Sequence, residues 1–105
     1  MLRGSPYYMS PEQGHGQPAD ERSDLYSLGV VLYEMLTRQK PYDADNPMAI
    51  IYLHAKAPVQ RLPPPLARAQ PIIDRLMAKD PDARFASATE AAAILEMALE
   101  EPARP

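Results

Sequence analysis

Leu25, Leu28, Gly29, Leu32 and Leu36 recur at i, i+3, i+4, i+7 and i+11, the spacing of one helical face. They lie in a segment running from about Glu21 to Thr37, where Val30, Val31, Tyr33 and Met35 fill most of the remaining circumference. A helix that is apolar nearly all round belongs in an interior. The segment is therefore expected to be a buried central helix, with the rest of the chain arranged around it. Ser23 or Asp24 stands where an N-cap would, and a carboxylate is favoured at that end. A chain of 105 residues supports one modest core, and this helix would occupy its middle.

The flanking sequence reads as loops and shorter helices. Residues 1–20 carry Gly, Pro and Ser with little periodicity and read as an irregular loop. Met48 to about Lys56, with Ile50, Ile51 and His54, suggests a brief helix, and the proline-rich stretch 57–66 an extended loop. Ile72, Ile73, Leu76 and Met77 indicate a third helix over about Ala67–Lys79, in whose first turn Pro71 is tolerated. Ser87-Ala88-Thr89-Glu90 has the form of a capping box. It opens an alanine-rich helix from Ala91 to about Glu100, with Ala91, Leu95, Ala98 and Leu99 on one face. Thirteen prolines punctuate these elements without interrupting the strongest helical patterns. No useful run of period-2 alternation appears. The expected class is mainly α: an irregular N-terminal loop, a buried central helix and three peripheral helices.

Composition excludes several roles. Apolar residues at 46% suit a globular protein, and a formal charge of -3 offers no basic footprint for nucleic acid or anionic membrane. Without cysteine there is no disulfide or thiolate site, and His15 and His54 lack partners at metal-ligand spacing, so no metal is expected. No apolar run approaches the roughly 20 residues that span a bilayer. A cytoplasmic location is the expectation.

Three motifs carry more. Gly4-Ser5-Pro6-Tyr7-Tyr8-Met9-Ser10-Pro11-Glu12 comes first, the run from Ser23-Asp24-Leu25-Tyr26 through Tyr33-Glu34-Met35-Leu36 second, and Asp80-Pro81-Asp82-Ala83-Arg84-Phe85 third. In this order and spacing they resemble the C-terminal-lobe portion of eukaryotic-type serine/threonine protein kinases, most closely bacterial members. The first is similar to the end of the activation region, the second to the family's central helix, and the third to the turn between its last two helices. The resemblance covers residues 1–100 and leaves 101–105 as a frayed tail.

The resemblance implies roles. Glu12 and Arg84 match a buried ion pair, which would tie the opening loop to the far end of the chain. A lone buried Arg would cost several kcal/mol, so the pair stands or falls together. Asp24 matches an aspartate near the start of the central helix that receives the catalytic-loop backbone; helix capping is the role its position alone gives it. Ser5, with Pro6, Tyr7 and Tyr8, matches the wall beside the protein substrate, Ser5 replacing the family's usual threonine. Arg38 departs from the usual glycine after Thr37; a left-handed Arg there would cost on the order of 1 kcal/mol.

Family catalysis uses ATP and Mg, held by a glycine-rich loop, a strand lysine, a catalytic aspartate and Asp-Phe-Gly. None of these motifs occurs in the 105 residues; Gly14-His15-Gly16 is the nearest to a glycine-rich loop, and Phe85 is the only phenylalanine. The chain by itself is expected to take no cofactor, to have no catalytic residue and to be inactive. It reads as the substrate-side portion of a kinase, partnered by a protein substrate or by the rest of a kinase domain. The alternative is a non-catalytic helical remnant or docking module. Three short helices cannot cover Leu28, Val31, Leu32 and Met35 together, and each side chain left in water forgoes roughly 1.5–3 kcal/mol. Self-association through this helix, or marginal stability, is expected.

Overall fold

The computed structural model describes residues 5–100, with side chains through residue 98. Gly4, the Leu99 side chain and the tail 101–105 lie outside the described residues. Among the described residues there are helices and turns and no strand.

The opening segment is more ordered than its composition suggests. A 3-10 turn at Pro6–Tyr8 leads into a four-residue helix, α1 (Pro11–Gly14). Ser10 caps α1: its hydroxyl accepts from the Gln13 amide at 3.3 Å, and the Gln13 side chain accepts from the Ser10 amide at 3.0 Å. The reciprocal pair satisfies donors that a four-residue helix cannot satisfy itself.

The central helix is α2 (Glu21–Thr37). Its N-cap is Asp20, which corrects the assignment of that role to Asp24 or Ser23. The Asp20 carboxylate accepts from the amides of Arg22 at 2.9 Å and Ser23 at 3.2 Å, and Ser23 Oγ accepts from the Asp20 amide at 3.3 Å. Asp24 sits exposed in the first turn, where its charge still suits the helix dipole. At the other end Arg38 adopts φ 62° and ψ 21°, so the helix ends on a left-handed residue despite its Cβ.

Asn46 caps α3 (Pro47–Lys56) by accepting from the Ala49 amide at 2.9 Å. The proline-rich stretch is extended only to Pro63. Pro64–Ala69 winds into a 3-10 helix, because prolines in its first turn lack N–H groups that would have been unpaired there. It runs directly into α4 (Gln70–Leu76), shorter at both ends than the expected 67–79. A further 3-10 turn, Pro81–Ala83, precedes α5 (Ala88–Glu100). Ser87 Oγ accepts from the Glu90 amide at 3.1 Å. The Glu90 carboxylate accepts from Ala86 at 2.8 Å, one residue before the position a capping box would use.

Two buried clusters make the core. One joins Tyr26, Val30 and Tyr33 of α2 to Tyr42, Leu62, Ile73 and Met77; the other joins Leu25 to Ile72, Leu76, Phe85 and Ala91. Helix α2 is central but covered on one side. Leu28 is 47% exposed and Met35 73% exposed, because four short helices do not reach round it.

Helices α2 and α4 touch at Gly29, where an added Cβ would lie 2.7 Å from Met77 Cγ and 2.8 Å from Leu76 Cβ. Alanine is the better helix former by roughly 1 kcal/mol, yet this contact forces the helices apart. Gly29→Ala is expected to destabilise the chain by about 1–3 kcal/mol in urea denaturation. An unchanged or raised midpoint would show that α4 yields freely.

Candidate functional site

Arg84 organises the site. Its side chain is fully buried, and its guanidinium donates to both oxygens of Glu12, Nη1 to Oε2 at 2.7 Å and Nη2 to Oε1 at 2.9 Å. The remaining donors go to main-chain oxygens of Arg22 at 2.8 Å, Ala78 at 2.8 Å and Lys79 at 3.4 Å. The fork also lies over the Tyr26 ring, 5.0 Å from its centroid. Glu12 accepts further from Ser23 Oγ at 2.8 Å. Burial resists ionisation of Glu12, but the hydrogen bonds from Arg84 and Ser23 outweigh it and hold its carboxyl at about 2. Residues 72 positions apart are thereby joined, and α1, the start of α2 and the turn before α5 become one unit.

Glu12 closes the segment that begins with Ser5, and the Pro6–Tyr8 turn lies between them. Both of the turn's tyrosine carbonyls are gripped. Ser27 Oγ of α2 donates to Tyr8 O at 2.6 Å, and His54 Nε2 of α3 lies 3.0 Å from Tyr7 O. Both tyrosine hydroxyls donate to carboxylates, Tyr7 to Asp43 at 3.1 Å and Tyr8 to Glu34. Lys40 donates to the other Glu34 oxygen at 3.2 Å and stands over the Tyr7 ring, 4.9 Å from its centroid. The hydrogen bond to Glu34 raises the Tyr8 pKa, while those from Tyr8 and Lys40 lower that of Glu34. Ser5 is half-buried at the head of the turn, where its carbonyl accepts from the Tyr8 amide at 3.3 Å. Ser5, Pro6, Tyr7 and Tyr8, the expected wall, thus lie in one turn tied to α2, α3 and the loop between them. Asp24 points into none of these contacts.

Sequence reasoning did not find Ser27, His54, Glu34, Lys40 or Asp43 as supports of this wall. Their partners lie far away in the chain, and no local spacing signals them. The Ser10 cap was also missed in a segment that read as loop, although the S-x-x-Q form of Ser10-Pro11-Glu12-Gln13 is a local signal for it. Among the described residues no group of three or more His, Asp or Glu is placed to hold a metal ion. No helix among them is long and apolar enough to cross a membrane.

Comparison with known proteins places this arrangement. The family described as protein kinase domain matches residues 1–97. The chain belongs to the protein kinase family. Its relatives include the serine/threonine-protein kinase PksC of Streptomyces coelicolor, 44% identical over 94 residues, which covers 84% of this chain and 16% of that protein. Serine/threonine-protein kinase PknB of Mycolicibacterium smegmatis is 40% identical over 83% of the chain and 15% of its own length. A probable serine/threonine-protein kinase of Streptomyces coelicolor, SCO3848, is 40% identical over 92% of the chain and 15% of its own length. The chain spans about a sixth of the length of these curated relatives, at 15–16%. It is the helical C-terminal-lobe part of a bacterial eukaryotic-type kinase domain.

Proposed function

We propose that the chain is the substrate-side portion of a serine/threonine protein kinase, whose complete domain transfers phosphate from ATP to protein Ser or Thr. The observation that supports this most is the fixed wall Ser5–Tyr8. Four hydrogen bonds hold its tyrosines from α2, α3 and the loop between them, and four residues after Tyr8 the Arg84–Glu12 fork ties the following helix to the far end of the chain. Kinase catalysis depends on positioning and charge neutralisation, and a wall so constrained supplies positioning. ATP and Mg belong to the complete domain, and the chain by itself has no cofactor and no catalytic residue. Its partners are a protein substrate and the rest of a kinase domain. The exposed stripe with Leu28 and Met35 is the face through which such a partner, or a second copy, would cover α2. The location is cytoplasmic.

A chimera tests this. Residues 4–97 replace the corresponding segment of the PksC kinase domain, and transfer of radiolabelled phosphate to a protein substrate is measured with Mg-ATP. The chimera is expected to phosphorylate serine or threonine, while the chain alone takes up no nucleotide in calorimetric titration. A folded, ATP-binding chimera without transfer would favour the helical docking module instead.

A further inference from the structure

His54 is a buried polar group behind the wall, 1% exposed, on the last turn of α3. Its two ring nitrogens meet different partners, Tyr26 Oη at 2.7 Å from Nδ1 and Tyr7 O at 3.0 Å from Nε2. A carbonyl oxygen only accepts, so Nε2 must carry a proton. A neutral imidazole then has Nδ1 as acceptor, and the Tyr26 hydroxyl donates to it. Every hydrogen-bonding position is filled in this one arrangement. In an imidazolium both nitrogens donate, and the Tyr26 proton would lose its acceptor in a buried site.

The surroundings favour the same state. The rings of Tyr26 and Tyr42 meet the imidazole edge to face, at centroid distances of 5.5 and 4.9 Å. Lys79 Nζ donates to the His54 carbonyl at 2.6 Å and to Tyr42 Oη at 3.1 Å, and Arg84 lies over the Tyr26 ring. Two cations and two aromatic rings leave little room for a third positive charge. The His54 carbonyl is held as firmly as its ring, so the end of α3 is fixed to the exit of α4.

We propose that His54 is a positioning residue for the substrate-side wall, held as the neutral Nε2–H tautomer between the Tyr26 hydroxyl and the Tyr7 carbonyl. This rests on the reading of Ser5–Tyr8 as a substrate wall. Ser27 holds one tyrosine carbonyl from α2, and His54 holds the preceding one from α3. Together they fix the two peptide planes that flank the Tyr8 Cα, and therefore the direction in which the Tyr8 side chain leaves the turn. Without His54 the Tyr7 carbonyl loses its donor, and the side-chain hydrogen bonds left to the turn come from α2 and the loop after it.

The test is nitrogen-detected NMR of the imidazole in the chain itself, with amide hydrogen exchange in two variants. The wild-type ring is expected to show a protonated Nε2 and an unprotonated Nδ1 from pH 8 down to about pH 5. His54→Phe keeps a ring but removes both bonds. It should speed exchange at the Tyr8 and Met9 amides by about tenfold relative to any change at Ile73 and Met77. His54→Gln, whose side-chain amide can again donate to Tyr7 O, should restore most of that protection. A protonated Nδ1, or an ordinary titration near the usual histidine value, would overturn the proposal. So would His54→Phe speeding exchange evenly through the core, the mark of a merely structural residue. If His54→Phe does not fold, the wild-type spectrum still tests the tautomer, and His54→Gln, with Tyr8 and Met9 protection expected near wild type, tests the donation to Tyr7 O. None of these measurements uses substrate, so an inactive chimera would remove the kinase reading and leave the contact between His54 and the turn intact.

Discussion

Arg84→Met is expected to leave the chain largely unfolded at room temperature. The substitution keeps most of the side chain's apolar volume, so packing alone predicts a small effect. What it removes is the cation paired with a carboxylate that is 10% exposed, together with the donors that reach the main-chain oxygens of Arg22, Ala78 and Lys79. Breaking one side of a buried pair costs about 3–5 kcal/mol, against a total of about 5–15 kcal/mol for an ordinary domain. With Leu28 and Met35 in water, this chain is expected near the lower end. Glu12→Gln should cost less, because Arg84 keeps its three carbonyl partners and the amide oxygen still accepts. The double variant should be more stable than Arg84→Met alone, since the stranded carboxylate is gone. Urea denaturation followed by circular dichroism measures all three. If Arg84→Met unfolds at the wild-type midpoint, the pair is ornamental.

The legible parts of this fold were those that one stretch of sequence settles by itself. The central helix was readable to the residue, because a run that is apolar on nearly every side has few other outcomes. Its cap was misplaced by three or four residues, at Ser23 or Asp24: Asp20 follows proline and alanine in what read as loop, yet its carboxylate reaches the Arg22 and Ser23 amides. The helix expected at 67–79 is seven residues long. Its N-terminal part tightens into a 3-10 helix under Pro64 and Pro65, and its C-terminal part is given up so that Lys79 can reach His54 and Tyr42. Such trades are tertiary, and no local pattern announces them. The wall residues came from resemblance, and their supports came only from structure. His54 illustrates the limit: a histidine among apolar helix positions looks like any other satisfied core residue until its two partners are seen.

Stability should depend on pH in steps that the buried groups set. Burial is the main cause that pushes His54 down to about 4, with Lys79 adding to it, against an ordinary value of 6.5. Between those values the unfolded chain binds a proton that the folded chain refuses, so stability is full above about pH 6.5 and falls as pH drops towards 4. The full shift corresponds to about 3 kcal/mol. Glu12, held at about 2 against 4.5, adds a second loss with the same sign between those two values. On the alkaline side burial lowers Lys79 from 10.5 to about 8, so its folded charge is a cost below pH 8 that eases above it. Burial raises Tyr42 from 10 to about 12, so above pH 10 the unfolded chain loses protons first and stability declines again. The expected maximum therefore lies at about pH 8–10, well above the sequence isoelectric point of 5.3. Urea midpoints at intervals from pH 3 to pH 11 would trace this curve. In His54→Phe the fall between pH 6.5 and 4.5 should flatten while the steeper loss below pH 4.5 remains. A wild-type midpoint that is level from pH 7.5 to 4.5 would mean that His54 takes up its proton without disturbing Tyr26 or Tyr7.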